Sequence, residues 1–172
     1  FVFFPYLLMS QITIEPNPFE VNQSVTITVD INSNDTNCNS ISNPDSVYMH
    51  AGIGDDNSPW GYSVVGNWGQ DDGVGQMSDN GNGTWSITIV PEDYFGLTAS
   101  QVTSATSMGM VFRNEDGTQE LKDQGCSDFF INVGAFQVEL INPDNTGIIL
   151  VDYNGSTPVS YTHLTLPTNT PV

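Results

Sequence analysis

Met77–Pro91 reads M-S-D-N-G-N-G-T-W-S-I-T-I-V-P, and this stretch decides the fold. Asp79-Asn80-Gly81-Asn82-Gly83 is a run of residues that tolerate positive φ, the requirement of a tight hairpin turn. Behind it Trp85, Ile87 and Ile89 alternate with Thr84, Ser86 and Thr88, the period-two pattern of a strand with one buried face. Pro91 has no N–H to donate to a ladder and ends the strand. A hairpin with a tryptophan at its root belongs at the centre of a β-sandwich.

The flanking sequence extends that sandwich. Towards the N-terminus, Ser24–Ile31 places Val25, Ile27, Val29 and Ile31 on one face and Thr26, Thr28 and Asp30 on the other. Gln11–Phe19 is a short extended segment punctuated by Pro16 and Pro18, and Val47–Ala51 is another strand. Between them runs the polar loop Asn32–Asp45. Gly52–Gln76 reads as a long Gly/Asp loop that carries Trp60, Tyr62 and Trp68, with a strand stub at Val64-Val65. Loops of this length in a compact domain are usually functional or disordered, and the aromatics favour function.

After the hairpin, Thr98 and Gln101 have capping-box spacing and predict a short helix over Ala99–Ala105. Ser107–Arg113 puts Met108, Met110 and Phe112 on one face. Asn114-Glu115-Asp116-Gly117 then turns the chain into Gln119–Lys122, and Asp128–Val133 closes the unit. The expected fold is therefore all-β, an immunoglobulin-like β-sandwich of about eight short strands with one short helix. Phe136–Ile141 and Gly147–Val151 begin the truncated start of a second sandwich, so domain boundaries are expected at 11–134 and 135–158.

The two ends differ from the middle. The chain of 172 residues carries 20 acidic and two basic side chains, a net charge of -18, and every charge lies between Glu15 and Asp152. Such an excess of acid repels phosphates and excludes nucleic acid and anionic membrane surfaces as partners. The apolar segment F-V-F-F-P-Y-L-L-M-S, residues 1–10, is too short to span a bilayer. It reads as the remnant of a secretory signal peptide, with an apolar edge strand as the alternative. No membrane insertion of the mature chain is expected. Val159–Thr168, V-S-Y-T-H-L-T-L-P-T, resembles the translation of a transposon-end sequencing adapter. Residues 159–172, His163 included, are set aside as an adapter-derived artefact.

Candidate chemistry is sparse. Cys38 and Cys126 are the two cysteines. In an exported chain they are expected to pair, closing a long loop worth about 4 kcal/mol, with two unrelated thiols as the alternative. One authentic histidine supports neither a Ser-His-Asp set nor a multi-histidine metal centre, so no enzyme activity is expected of this fragment. Asp55, Asp56, Asp71 and Asp72 are the candidate ligands for Ca2+, and no other cofactor is expected. Trp85 reads as core. Trp60 and Trp68 sit among Gly, Asp and Asn without alternating partners, so at least one should plug the sandwich and at least one should meet a ligand. An exposed indole suits the apolar face of a sugar ring.

Three landmarks carry a resemblance: V-Y-M-H-A-G at Val47–Gly52, G-N-G-T-W-S-I-T-I at Gly81–Ile89 and M-V-F-R-N at Met110–Asn114. In this order they resemble bacterial starch-binding modules. Gln11–Val133 further resembles the N-terminal module of secreted α-amylase-family glycoside hydrolases of marine Bacteroidetes. The resemblance implies a non-catalytic module that binds a polysaccharide, an α-glucan such as starch. It further implies secretion to the surroundings or cell surface of a Gram-negative bacterium, and a covalently linked catalytic domain downstream. It places the carbohydrate contacts at His50 and Trp60, with Trp68 as a substitute and Asn114 and Gln119 around the third landmark. Where the family carries a second tryptophan after that landmark, this chain has Thr118, Gln119 and Glu120. The rival expectation is an immunoglobulin-like spacer in the same kind of enzyme.

Overall fold

The computed structural model describes residues 11–32 and 40–134, together with the backbone of 149–151 and 159–161. The chain divides into two compact units, Phe1–Gly134 and Ala135–Val172. In the first unit, β1 (Ile12–Glu15), β2 (Val25–Asp30), β5 (Ser78–Gly81) and β6 (Thr84–Ile89) form one antiparallel sheet in the order β1-β2-β6-β5. The second sheet contains β3 (Val47–Asp55), β4 (Ser58–Val65), β7 (Ser107–Asn114), β8 (Glu120–Leu121) and β9 (Phe129–Asn132). Its order is β4-β3-β7, and the far edge of β7 is shared by β8 and β9. The domain is the all-β sandwich expected of the sequence.

The hairpin forms as its residues require. Gly81 pairs with Thr84, leaving Asn82 (φ 60°) and Gly83 (φ 78°) as the two central turn residues, both in the left-handed region of a type I′ turn. A side chain at Gly83 would also collide with Asn32 Nδ2, which donates to the Asn82 carbonyl at 2.8 Å. Behind the turn Trp85, Ile87 and Ile89 lie opposite Val29, Ile27 and Val25 of β2, with Ile87 half-buried against the inter-sheet core and the other five within it. On the outer face Thr26 and Thr88 share a hydroxyl hydrogen bond of 2.8 Å. The opposing sheet contributes Val47, Met49, Ala51 and Ile53 from β3 and Met108, Met110 and Phe112 from β7, all fully buried. Burial of each of the larger of these side chains stabilises the fold by about 1.5–3 kcal/mol.

Two features differ from the expectation. Pro91 ends β6 and also starts a helix, α1 (Pro91–Phe95), as its first residue, where its fixed φ and missing N–H cost nothing. The expected helix follows as α2 (Ala99–Ser104), with the Thr98/Gln101 capping box formed. The described residues therefore hold two short helices rather than one, besides a 3-10 turn at Gln124–Cys126. The larger departure concerns the long loop. β3 continues to Asp55, turns, and returns as β4, so Trp60 stands on an edge strand and the loop proper shrinks to 66–77. Asp55 makes that turn, its Oδ1 accepting from the Asn57 and Ser58 amides at 2.9 and 3.0 Å. Glycines at 52, 54 and 61 weaken the strand signal in the sequence, while the ladder itself needs only backbone groups.

In the second unit β10 (Ile149–Val151) pairs antiparallel with β11 (Val159–Tyr161), three residues a side. The predicted strand Phe136–Ile141 and the leader-like residues 1–10 lie outside the described residues. Among the described residues no helix is long and apolar enough to cross a membrane.

Candidate functional site

Alternation along β3 and β7 sends Met49, Ala51, Ile53, Met108, Met110 and Phe112 inward and turns Tyr48, His50, Gly52, Gly109, Val111 and Arg113 to the outer face of the second sheet. Gly52 and Gly109 are cross-strand partners. With no side chains there, the Trp60 indole reaches in from β4 and lies flat across both strands. A β-carbon at Gly52 would overlap Trp60 Cε3, and one at Gly109 would lie 2.5 Å from Trp60 Nε1. Two glycines thus make the bed of one tryptophan, which buries one face of the ring and leaves the other turned outward.

His50 is the next outward residue of β3. Its ring centroid lies 5.8 Å from that of Trp60 with the planes inclined by 28°, and 5.6 Å from that of Trp68 in an edge-on arrangement. The three aromatics singled out in the sequence are therefore one cluster. His50, Trp60, Val111 and Asp128 line a shallow depression of about 300 Å³, with the Val111 methyls beside the rings. Burial lowers the pKa of His50 from its ordinary 6.5, and the nearby Gly66 carbonyl offsets this in part. The imidazole is neutral at pH 7, and its Nδ1 has no hydrogen-bond partner among the described residues.

Trp68 owes its place to the loop 66–77. Residues 75–77 return along β3 where β4 has left it, through Met49 N to Gly75 O and Met77 N to Val47 O, both 2.8 Å. The middle of the loop is clamped by Arg113, which is fully buried. Its Nη2 donates to the Asn67 and Gln70 carbonyls at 2.8 Å, and its Nη1 to those of Asn114 and Glu115 at 2.9 and 3.1 Å. The guanidinium stacks 4.3 Å from the Tyr48 ring centroid, and the Tyr48 hydroxyl donates to Asp71. A single buried cation thus ties the loop to the turn after β7, and Trp68 packs against Gly117 of that turn while remaining 44% exposed.

Asn114 and Gln119 do not join the cluster. The Asn114 side chain is buried inside the turn, where Oδ1 accepts from the Gln119 amide at 3.0 Å and Nδ2 donates to Asp116 and Thr118 at 2.8 and 3.3 Å. Gln119 Oε1 accepts from the Ser42 amide at 2.7 Å. Both lie near the third landmark, but Asn114 spends its polar groups on the turn and Gln119 its side-chain oxygen on Ser42. The aspartates also have internal duties. Asp55 Oδ2 accepts from Tyr62, Asp56 from Thr106 at 2.6 Å, Asp71 from Tyr48, and Asp72 from Asn67 at 2.7 Å. Among the described residues no three metal-ligating side chains gather. Cys38 lies outside the described residues, so the pairing with Cys126 does as well.

Two neighbours of the cluster escaped the sequence reading. Asp128 sits at the rim, 3.5 Å from Lys122 Nζ. Phe130 lies opposite Gly109 in the ladder, its ring edge 3.0 Å from the position a β-carbon there would take, and is 51% exposed. The signal is present in the sequence: Phe129, Ile131 and Val133 alternate towards the core, which leaves an apolar Phe130 on the outer side of the strand.

Residues 12–121 match the family designated DUF8578, a domain of unknown function. The chain belongs to that family. The matched span of the DUF8578 domain runs from β1 to the end of β8 and includes His50, Trp60 and Trp68, whereas Asp128 and β9 follow it. No curated protein matches the chain in sequence.

Proposed function

We propose that this DUF8578 domain is a non-catalytic carbohydrate-binding module for a neutral polysaccharide, an α-glucan such as starch, and that its site is the Trp60–His50–Trp68 face. The observation that carries the reading is the indole of Trp60 laid flat on the Gly52–Gly109 pair, with its free face outward beside His50 and Trp68. A pyranose stacked there buries C–H surface on a rigid ring, while the imidazole and loop amides satisfy hydroxyls that lose water. The net charge of -18 is no obstacle to a neutral ligand. The resemblance of the three landmarks to starch-binding modules supports the same ligand class. On this reading the parent protein is a secreted or surface-exposed glycoside hydrolase of the α-amylase family from a Gram-negative bacterium, and the fragment itself is not an enzyme. An immunoglobulin-like spacer is the rival function for the same fold.

Affinity electrophoresis on soluble starch separates the two. Wild-type protein should be retarded and Trp60→Ala should not. Because Trp60 covers the outside of a sheet, its loss should cost only about 1–2 kcal/mol of stability. Trp85→Ala, which empties the core between the sheets, should cost about 3–5 kcal/mol. Wild-type protein that migrates unretarded on every neutral glucan leaves the spacer function in its place.

Export also implies the bridge between Cys38 and Cys126. Thiol titration of the denatured, unreduced protein should then find no free thiol, and two titratable thiols in oxidised material would rule the bridge out.

A further inference from the structure

The described residues include four large exposed hydrophobic side chains, Val64, Trp68, Val74 and Phe130. Val64 is the ladder partner of Gly52 and Phe130 that of Gly109, so both stand on the outer face beside Trp60, and Trp68 closes the other side through His50. Such convergence marks a contact surface, since isolated exposed apolar residues scatter. The strip does not stop at the aromatic cluster. The Phe130 ring edge and the indole N–H edge of Trp60 meet over the same glycine, Gly109. Asp128, two residues earlier on the outward side of the same segment, borders the depression between Trp60 and His50.

We propose that the ligand chain extends from Trp60 onto β9, where Asp128 accepts hydroxyl hydrogen bonds from the unit over the depression and Phe130 stacks on the next unit. This rests on the carbohydrate reading and adds to it a second platform and a polar selector. Chemistry favours these two residues. A carboxylate has about four acceptor positions, and Lys122 at 3.5 Å takes one while holding the group in place. The remaining positions suit neighbouring hydroxyls of a sugar, to which Lys122 offers donors in turn. A carboxylate at this rim also repels uronates and sulfated sugars, so it selects a neutral polyol. Phe130 exposes an apolar ring with no polar group, which a sugar's C–H face covers without stranding a donor.

The test uses the full chain in affinity electrophoresis and calorimetry with a long linear α-glucan, its disaccharide and polygalacturonate. Phe130→Ala should weaken binding of the long glucan roughly tenfold and leave the disaccharide unchanged, and Phe130→Trp should restore it. Asp128→Ala should weaken both neutral ligands by roughly tenfold or more. No protein should bind polygalacturonate. Circular dichroism serves as the folding control, and both residues are exposed enough for the variants to fold. If wild type binds, Trp60→Ala does not, and both β9 variants bind like wild type, the site ends at Trp60 and the extension is overturned. If wild type itself does not bind a neutral glucan, the underlying reading falls and the extension with it.

Discussion

His50 shows how one residue serves packing and a site together. Its ring is held between two tryptophans, and burial lowers its pKa below 6.5. Between the folded and the unfolded pKa the unfolded chain carries a proton that the folded chain lacks. The His50 contribution therefore lowers stability as pH falls through the ordinary imidazole range, and the loss levels off once the folded ring is also protonated. Asp72 and Asp116 act in a different window. Hydrogen bonds from Asn67 and Thr118 hold their carboxyls below the usual carboxylate range, so they favour folding until the solution is acid enough to protonate them in the folded state. Thermal melts from about pH 7.5 to about pH 5.5 should show a larger drop for wild type than for His50→Gln. Parallel curves would mean that the imidazole is not held neutral.

At the scale of elements, the loop 66–77 is the part that the sandwich must hold actively. Its ends are tied to β3 by backbone bonds, but its middle depends on the Arg113 fork, which makes four bonds to carbonyls on both sides of the gap. A lysine delivers one ammonium on a flexible stem and cannot span two pairs of carbonyls in one plane. Arg113→Lys should destabilise the domain by about 2–4 kcal/mol and free the loop, because it leaves buried carbonyls unpaired. Trp68 fluorescence should shift towards that of a solvated indole, and backbone amides of the loop should exchange faster, while β2 and β6 stay protected. Unchanged exchange in the loop would place the clamp elsewhere.

For the whole molecule the dominant fact is acid. Twenty carboxylates face two cations, and Arg113 is one of the two and is buried. Among the described residues the ion pairs are those of Lys122, with Glu120 at 4.0 Å and Asp128 at 3.5 Å. The compact state therefore works against its own repulsion, which salt screens over a Debye length of about 10 Å at 0.1 M. The melting temperature should rise by several degrees between roughly 0.01 and 0.15 M NaCl, and neutral-glucan binding should barely respond to the same change. A melting temperature that falls with salt would show that attractive pairs outweigh the repulsion.

Period-two patterning determined which residues face the core, because burial of one face is a local property written every second residue. That is how Val25, Ile27, Val29, Trp85, Ile89, Met108 and Met110 were legible. Turn chemistry at Asn82-Gly83 and capping chemistry at Thr98 and Gln101 were equally local and equally legible. The alternating side chains also gave the sandwich its class. What lay beyond the sequence was pairing at a distance. β4 alternates Trp60, Tyr62 and Val64 with Gly61 and Ser63, but Pro59, Gly61 and the Gly/Asp runs on either side read as a loop, and pairing with β3 is what makes it a strand, so Trp60 was placed on a loop. Gly52 and Gly109 are 57 positions apart in sequence, and only the β3–β7 register makes them one flat bed under an indole. The same register brings Phe130 to the edge of that bed, whereas Asn114, a neighbour of the right landmark, turns its polar groups into its own turn and Gln119 turns its side-chain oxygen to the Ser42 amide. Residue types proposed the aromatics, and the sheet decided which of them share a surface.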